Sequence, residues 1–110
     1  MRSEELRIAK TESRFRDVNE RIAETAERIG ANEAELVCEC ADPNCAERIA
    51  APLDDYEETR ADGSHFLVSA GHEEAEHERV VKNRPGFRVI QKLRGVGAVA
   101  QRLNPRRAQA

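Results

Sequence analysis

Apolar side chains recur at helical spacing along the first quarter of the chain, residues 3–29. The clearest series stands seven residues apart: Ile8, Phe15, Ile22 and Ile29. A period near 3.6 residues per turn places such a series along one side of a helix. Ser3 suits the N-cap position, and Gly30 suits the position just after the last turn. The pattern therefore predicts one long amphipathic helix over residues 3–29.

The apolar stripe of this helix admits two interpretations. It can pack on the rest of the domain, or it can form the seam of a two-stranded coiled coil and so a homodimer. Threonine stands at the alternate core positions, Thr11 and Thr25, and this favours the first interpretation. On the outer face, Arg16 and Glu20 are four residues apart and are expected to form an ion pair.

Short segments of β character follow the helix, separated by turn residues. Alternation and β-branched content predict strands in four of them: "AELVCEC", "ERIAAP", "HFLVSAG" and "ERVVKNRPGFRVIQKL". The last segment contains a turn at residues 83–86 and is typical of a hairpin. A brief helix is expected from Asp54, which has capping-box spacing to Glu57, and a weak helix from Val96 to Leu103. The predicted fold class is α+β, with one long N-terminal helix packed on a small antiparallel sheet.

The sequence has no apolar run long enough to span a membrane, and its amino terminus lacks the apolar stretch of a signal peptide. These features favour a cytoplasmic protein. Disulfide bonds are uncommon in the cytoplasm, where thiols are kept reduced. The cysteines of this chain therefore need another explanation.

All three cysteines, Cys38, Cys40 and Cys45, lie within eight consecutive residues. Alternation along a strand points Cys38 and Cys40 to the same side, with Glu39 on the other. The "ADPN" turn can then bring Cys45 back to face them, because Asp and Pro both favour a tight turn. Three converging thiolates suit a soft metal ion, and zinc binds four sulfur or nitrogen ligands.

A histidine is the expected fourth ligand, and the chain has three: His65, His72 and His77. His72 is preferred because Gly71 can form a turn that directs its ring at the cysteines. His65 and His77 remain alternatives. Glu39, Asp42 or Glu73 is expected to orient the ligands. A Cys3His set is typical of zinc, although iron accepts it too, and four protein ligands leave no open position for catalysis.

These predictions define the expected organisation and role of the chain. We expect a helical N-terminal extension over residues 1–14, a single zinc-binding α+β domain over residues 15–103, and a flexible basic tail over residues 104–110. The protein is expected to be non-enzymatic and to act as a binding or regulatory module with a protein partner. Two alternatives to a metal site stay open, namely three adjacent free thiols and a thiol-redox protein.

Charge is divided unevenly along the chain. All 21 acidic residues precede Arg79, whereas nine of the 18 basic residues follow Glu78, so residues 1–78 carry −12 and residues 79–110 carry +9. The basic part can neutralise the acidic part within the molecule, or it can bind nucleic acid. The candidate phosphate contacts lie in and after the predicted hairpin: Lys82, Arg84, Arg88, Lys92 and Arg94. Their contribution to binding would depend on salt concentration.

Three sequence blocks together resemble a group of small actinobacterial proteins for which no activity is assigned. These blocks are "FRDVNERIAETAERIG", "CECADPNC" and "GHE", followed by the closing hairpin. The resemblance extends from about Phe15 to Leu93, and the cysteine block is its most specific part. It implies a shared fold and no mechanism. The basic C-terminal third departs from the more acidic ending of those proteins.

Overall fold

A computed structural model of the chain describes residues 3–106, except for the side chains of residues 94–96. Its elements, in chain order, are α1 (Ser3–Arg28), β1 (Glu33–Val37), β2 (Arg48–Pro52), α2 (Leu53–Arg60), β3 (His65–Val68), β4 (Glu78–Arg84), β5 (Phe87–Lys92) and α3 (Arg94–Arg102). The predicted α+β class is confirmed. Every predicted strand and helix is present, with bounds that differ by a few residues.

The strands form two antiparallel sheets in the described part of the chain, where one was predicted. β1 pairs with β2, and β5 lies between β3 and β4. A main-chain hydrogen bond links the two sheets just beyond β1, where Glu39 N–H donates to Leu67 O at 2.8 Å. The two sheets are therefore joined through the segment that carries the cysteines.

α1 packs on both sheets, but not through the heptad series. Ile8 is buried, Phe15 and Ile22 are half-buried, and Ile29 is 75% exposed. A straight α-helix drifts by about 20° per seven residues, so a strict heptad series rotates away from a fixed contact face. The buried row instead has spacings of three and four residues: Ala9, Glu12, Arg16, Asn19, Ala23 and Ala26.

Three members of this buried row are polar, and each bonds to a different part of the molecule. Arg16 was predicted on the outer face and paired with Glu20, and this prediction is wrong. Its guanidinium donates to Gly63 O at 2.7 Å and to Ala100 O at 2.9 Å. It also lies over the Phe66 ring, 4.5 Å from the centroid.

Glu20 instead accepts hydrogen bonds from Arg60 and Arg106. Arg106 also donates to Glu57, so the end of the described chain is attached to α1 and α2. At the other end, the residues of α1 from Ile8 to Ser13 are buried, except for Lys10. The predicted domain boundaries at residues 14 and 103 stay predictions, and residues 107–110 lie outside the described part.

The start of α2 differs from the prediction in detail. Its N-cap residue is Pro52, with φ −60° and ψ 141°, and no side chain caps the helix. The capping box expected from Asp54 and Glu57 therefore does not form; Glu57 pairs with Arg106 instead. Among residues 3–106, none of the helices has the length and apolar character needed to cross a bilayer.

Candidate metal centre

The residues that follow β1 carry two of the candidate ligands into the interior. Cys38 and Cys40 are 1% and 2% exposed. Their side chains share one side of the extended segment, as alternation predicts, while Glu39 between them is directed the other way. Cys38 N–H donates to Glu47 O at 3.1 Å, which continues the β1–β2 pairing as far as the first ligand.

A tight turn returns the third cysteine to the same place. Cys45 N–H donates to Asp42 O at 3.0 Å, and Asn44 N–H donates to the Asp42 carboxylate at 2.9 Å. Pro43 occupies the second position of this turn, where its fixed φ is compatible with the geometry. Asp42 thus shapes the loop that carries Cys45.

A second turn after β3 supplies the histidine. His72 N–H donates to Ser69 O at 3.0 Å, and Gly71 has φ +88°, a conformation that glycine adopts without a steric penalty. Glu73 accepts a hydrogen bond from Gly71 N–H at 3.0 Å and forms an ion pair with Arg88 of β5. The predicted roles of Gly71 and Glu73 in positioning His72 agree with these contacts.

The four candidate ligand atoms converge. The sulfurs of Cys38, Cys40 and Cys45 and a ring nitrogen of His72 all lie within 4.8 Å of one another. His72 Nδ1 lies 3.5 Å from Cys38 Sγ and 3.6 Å from Cys45 Sγ. A tetrahedral ion with bonds of about 2.3 Å to sulfur and about 2.0 Å to nitrogen separates two such ligand atoms by about 3.5 Å. The group is therefore close enough to hold one metal ion.

The thiols differ in how readily they lose a proton. A hydrogen bond from the Cys40 thiol lowers the pKa of Cys38, whose sulfur also accepts Ser69 N–H at 3.2 Å. Donating that hydrogen bond raises the pKa of Cys40, and burial raises the pKa of Cys45. In the metal-free chain Cys38 is thus the first thiolate, and the other two need a cation to stabilise their charge.

Asn19 of α1 holds the cysteine segment through hydrogen bonds, and no local sequence signal indicates this role. Its amide accepts Val37 N–H and donates to Val37 O, both at 2.8 Å, as a neighbouring strand would. It also donates to the Glu39 carboxylate at 2.7 Å. The other oxygen of Glu39 accepts Leu67 N–H at 2.9 Å. Glu39 therefore positions its two cysteine neighbours by fixing the backbone between them.

The other two histidines lie apart from the four-ligand group. His65 begins β3 and lies 3.5 Å from the Asp62 carboxylate. The carbonyl of His77 accepts Leu93 N–H at 2.9 Å, in the segment that leads into β4. Of the three histidines, the structure brings only His72 to the cysteines.

Most of the residues predicted to contact phosphate form ion pairs within the molecule instead. Lys82 pairs with Glu58, and Arg88 pairs with Glu73. Lys92 is 3% exposed and pairs with two buried carboxylates, so its assignment to a nucleic-acid surface is wrong. Arg84 is exposed, and its guanidinium contacts only Asn83 O among the described residues. The side chain of Arg94 lies outside the described part.

Comparison of the chain with models of protein families, with curated proteins and with solved structures finds no match. The resemblance to the actinobacterial group therefore stays a prediction.

Proposed function

We propose that the protein binds one zinc ion through Cys38, Cys40, Cys45 and His72, and that the ion is structural. The observation that supports this most directly is the spacing of the ligand atoms. Two of the sulfurs lie 3.5 and 3.6 Å from His72 Nδ1, as tetrahedral zinc would require. A thiol–imidazole hydrogen bond alone can have this length, but a shared ion also explains why all four ligand atoms lie within 4.8 Å of one another.

The positions of the ligands in the fold explain what a structural ion would do. Cys38 and Cys40 follow β1 of the two-stranded sheet, whereas His72 follows β3 of the three-stranded sheet. A shared ion would join the two sheets across 34 residues of chain. This supports a stapling role, because the chain has only three Phe, one Tyr and no Trp with which to build its core.

A non-enzymatic role follows from the same ligand set. Four protein ligands complete the tetrahedral shell of zinc and leave no position for water or substrate. Glu73, the carboxylate next to His72 in the sequence, accepts a hydrogen bond from Gly71 N–H and pairs with Arg88, and both contacts hold the ligand loop. The protein would then act as a small binding or regulatory module whose shape depends on the metal.

The decisive experiment is elemental analysis of protein purified without chelator, with unfolding measured before and after chelation. We expect one zinc per chain. At a zinc concentration of a thousand times the dissociation constant, bound metal stabilises the fold by about 4 kcal/mol, and a chelator removes this. Elemental analysis also distinguishes zinc from iron in the native protein, and substitution by cobalt is expected to give the absorption of a tetrahedral thiolate site.

Variants identify the ligands. Cys45→Ser and His72→Ala are expected to lose zinc and the chelator-sensitive stability. His65→Ala is the matched control, since His65 is also half-buried and follows a turn but lies outside the group. Protein that contains no metal, and whose unfolding a chelator leaves unchanged, would contradict the proposal and favour the thiol-redox alternative. That alternative predicts rapid alkylation of Cys38 and Cys40 even when zinc is supplied in excess.

Nucleic-acid binding through the hairpin has weaker support, because intramolecular ion pairs occupy Lys82, Arg88 and Lys92. Among the described hairpin cations, Arg79 and Arg84 are exposed and form no ion pair with another described residue. Retention on immobilised DNA at low salt that is abolished by Arg84→Ala would revive this function.

A further inference from the structure

The three cysteines of the candidate metal centre differ in their access to solvent. Cys38 and Cys40 are 1% and 2% exposed, whereas Cys45 is only half-buried. The residues on both sides of Cys45 in the sequence, 42–44 and 46–48, are exposed. Access and thiolate character together decide which cysteine an oxidant attacks. A small oxidant in solution therefore meets the sulfur of Cys45 before the other two.

The loop that carries Cys45 is held less firmly than the segment before it. The main-chain hydrogen bonds described for residues 41–46 both end on Asp42 of the same loop. Cys38 by contrast is fixed from two sides, because its N–H continues the β1–β2 pairing and its sulfur accepts Ser69 N–H at 3.2 Å. Cys45 can thus move relative to the two sheets without breaking a strand pairing.

This geometry selects the pair of cysteines that can form a disulfide. Sulfurs that lie within 4.8 Å of one another must approach to about 2.05 Å, with β-carbons about 3.5–4.5 Å apart. Cys38 and Cys40 stand two residues apart on one side of an extended segment, where the rise alone separates them by about 6.6 Å. Cys40 directly precedes the mobile loop and Cys45 lies in it, so movement of that loop alone can bring these two sulfurs together.

We propose that hydrogen peroxide oxidises Cys40 and Cys45 to a disulfide and releases the zinc ion, which makes the staple between the two sheets sensitive to oxidants. This inference rests on the proposed zinc site. The bond takes two ligands from the ion, and Cys38 and His72 alone do not complete the four-ligand shell that zinc requires. A dithiol reductant would break the disulfide and restore the site.

The oxidation proceeds in two steps that balance. The Cys45 thiolate attacks one oxygen of the peroxide and hydroxide leaves, which gives a sulfenic acid. The Cys40 thiolate then attacks the Cys45 sulfur and displaces a second hydroxide, which forms the S–S bond. Two thiolates are oxidised, and the peroxide is reduced to two water molecules when the hydroxides take up two protons from solvent.

The first test measures zinc and thiols together during exposure of the zinc-loaded protein to excess peroxide. We expect release of the zinc, detected with a coloured chelator, to accompany the loss of two of the three thiols. Addition of a dithiol and zinc is expected to reverse both changes. Protein that keeps its zinc and its thiols, while an unfolded sample loses its thiols to the same peroxide, would overturn this inference and leave the zinc site intact. Protein that contains no zinc when purified would overturn both.

Peptide mapping of the oxidised protein tests which cysteines pair. Cleavage after glutamate separates Cys38 from the peptide "CADPNCAE", residues 40–47, which contains the other two cysteines. We expect this peptide to be lighter than its reduced form by the mass of the two thiol hydrogens, and Cys38 to be recovered with an alkylated thiol. A disulfide that links Cys38 to either of the other cysteines, or one that links two chains, would overturn the assignment.

Discussion

A buried charge cluster between α1 and the three-stranded sheet leads to a prediction about pH. Lys92 forms ion pairs with Glu12 of α1 and with Glu78, its cross-strand partner on β4, and all three side chains are fully buried. The Lys92 ammonium also lies over the Phe66 ring, 5.3 Å from the centroid. With two carboxylates and one ammonium, the fully ionised cluster has one surplus negative charge. The substitution Glu12→Gln keeps the shape of the side chain and removes the surplus negative charge.

The magnitude follows from the pKa of Glu12. Burial raises it from 4.5 to about 7, against the opposing attraction of Lys92. Burial also lowers the pKa of Lys92. Among other nearby groups, Glu74 raises the pKa of Glu12 and His77 lowers it. A folded-state pKa above the unfolded value means that the contribution of Glu12 to stability is complete below pH 4.5 and is lost as the pH rises through 7. The loss amounts to about 3 kcal/mol, since each pKa unit corresponds to about 1.4 kcal/mol.

The assay is urea unfolding followed by circular dichroism, from pH 5 to pH 8, with zinc saturating. Glu12→Gln is expected to unfold with nearly the same free energy as the wild type at pH 5. At pH 8 it should be more stable by about 3 kcal/mol, because Lys92 and Glu78 remain as a balanced pair. Taking the difference between the two proteins at each pH removes the pH dependence of metal binding. Glu4→Gln, exposed on the same helix, is the control. A difference that is constant over this range, or a Gln variant that is less stable at pH 8, would refute the reasoning.

Two further substitutions test buried polar groups with opposite expected signs. Asn19→Ala removes three hydrogen bonds, one of them to a carboxylate, and leaves Val37 N–H and O without that partner. We expect it to lower the free energy of unfolding by about 4 kcal/mol. Asp17 is exposed, and Asp17→Ala is expected to change the same free energy by about zero in the same denaturation assay. Tyr56→Phe removes a buried hydroxyl that has no hydrogen-bond partner among the described residues, and should raise the melting temperature through a gain of about 1 kcal/mol. A lower melting temperature would mean that the hydroxyl is satisfied.

The candidate metal centre could be predicted from the sequence because each of its parts depends on local geometry. Alternation places Cys38 and Cys40 on one side, a Pro-containing turn returns Cys45, and Gly71 allows the turn that directs His72. None of these inferences needs the tertiary structure. Only the convergence of the two turns is a long-range event, and the chemistry of the ligand set is enough to anticipate it.

The polar contacts of α1 could not be predicted in the same way. Arg16 bonds to carbonyl groups 47 and 84 residues away, and nothing in its neighbourhood along the chain indicates this. An arginine four residues before a glutamate is ordinarily a solvated pair, so the general rule gave the wrong face. Lys92 was misassigned for a related reason, because a basic side chain in an alternating strand is usually exposed.

The buried polar row also explains why Val18 and Ile29 face outward. Glu12, Arg16 and Asn19 each have partners on a different element, and a rotation of the helix to bury Val18 and Ile29 would leave all three without them. An unpartnered buried polar group costs about 1–3 kcal/mol, and more if it is charged. The gain from burying one Val or Ile side chain is of similar size, about 1.5–3 kcal/mol. Three polar residues, two of them charged, therefore outweigh two apolar ones, and α1 is held with Val18 and Ile29 toward solvent.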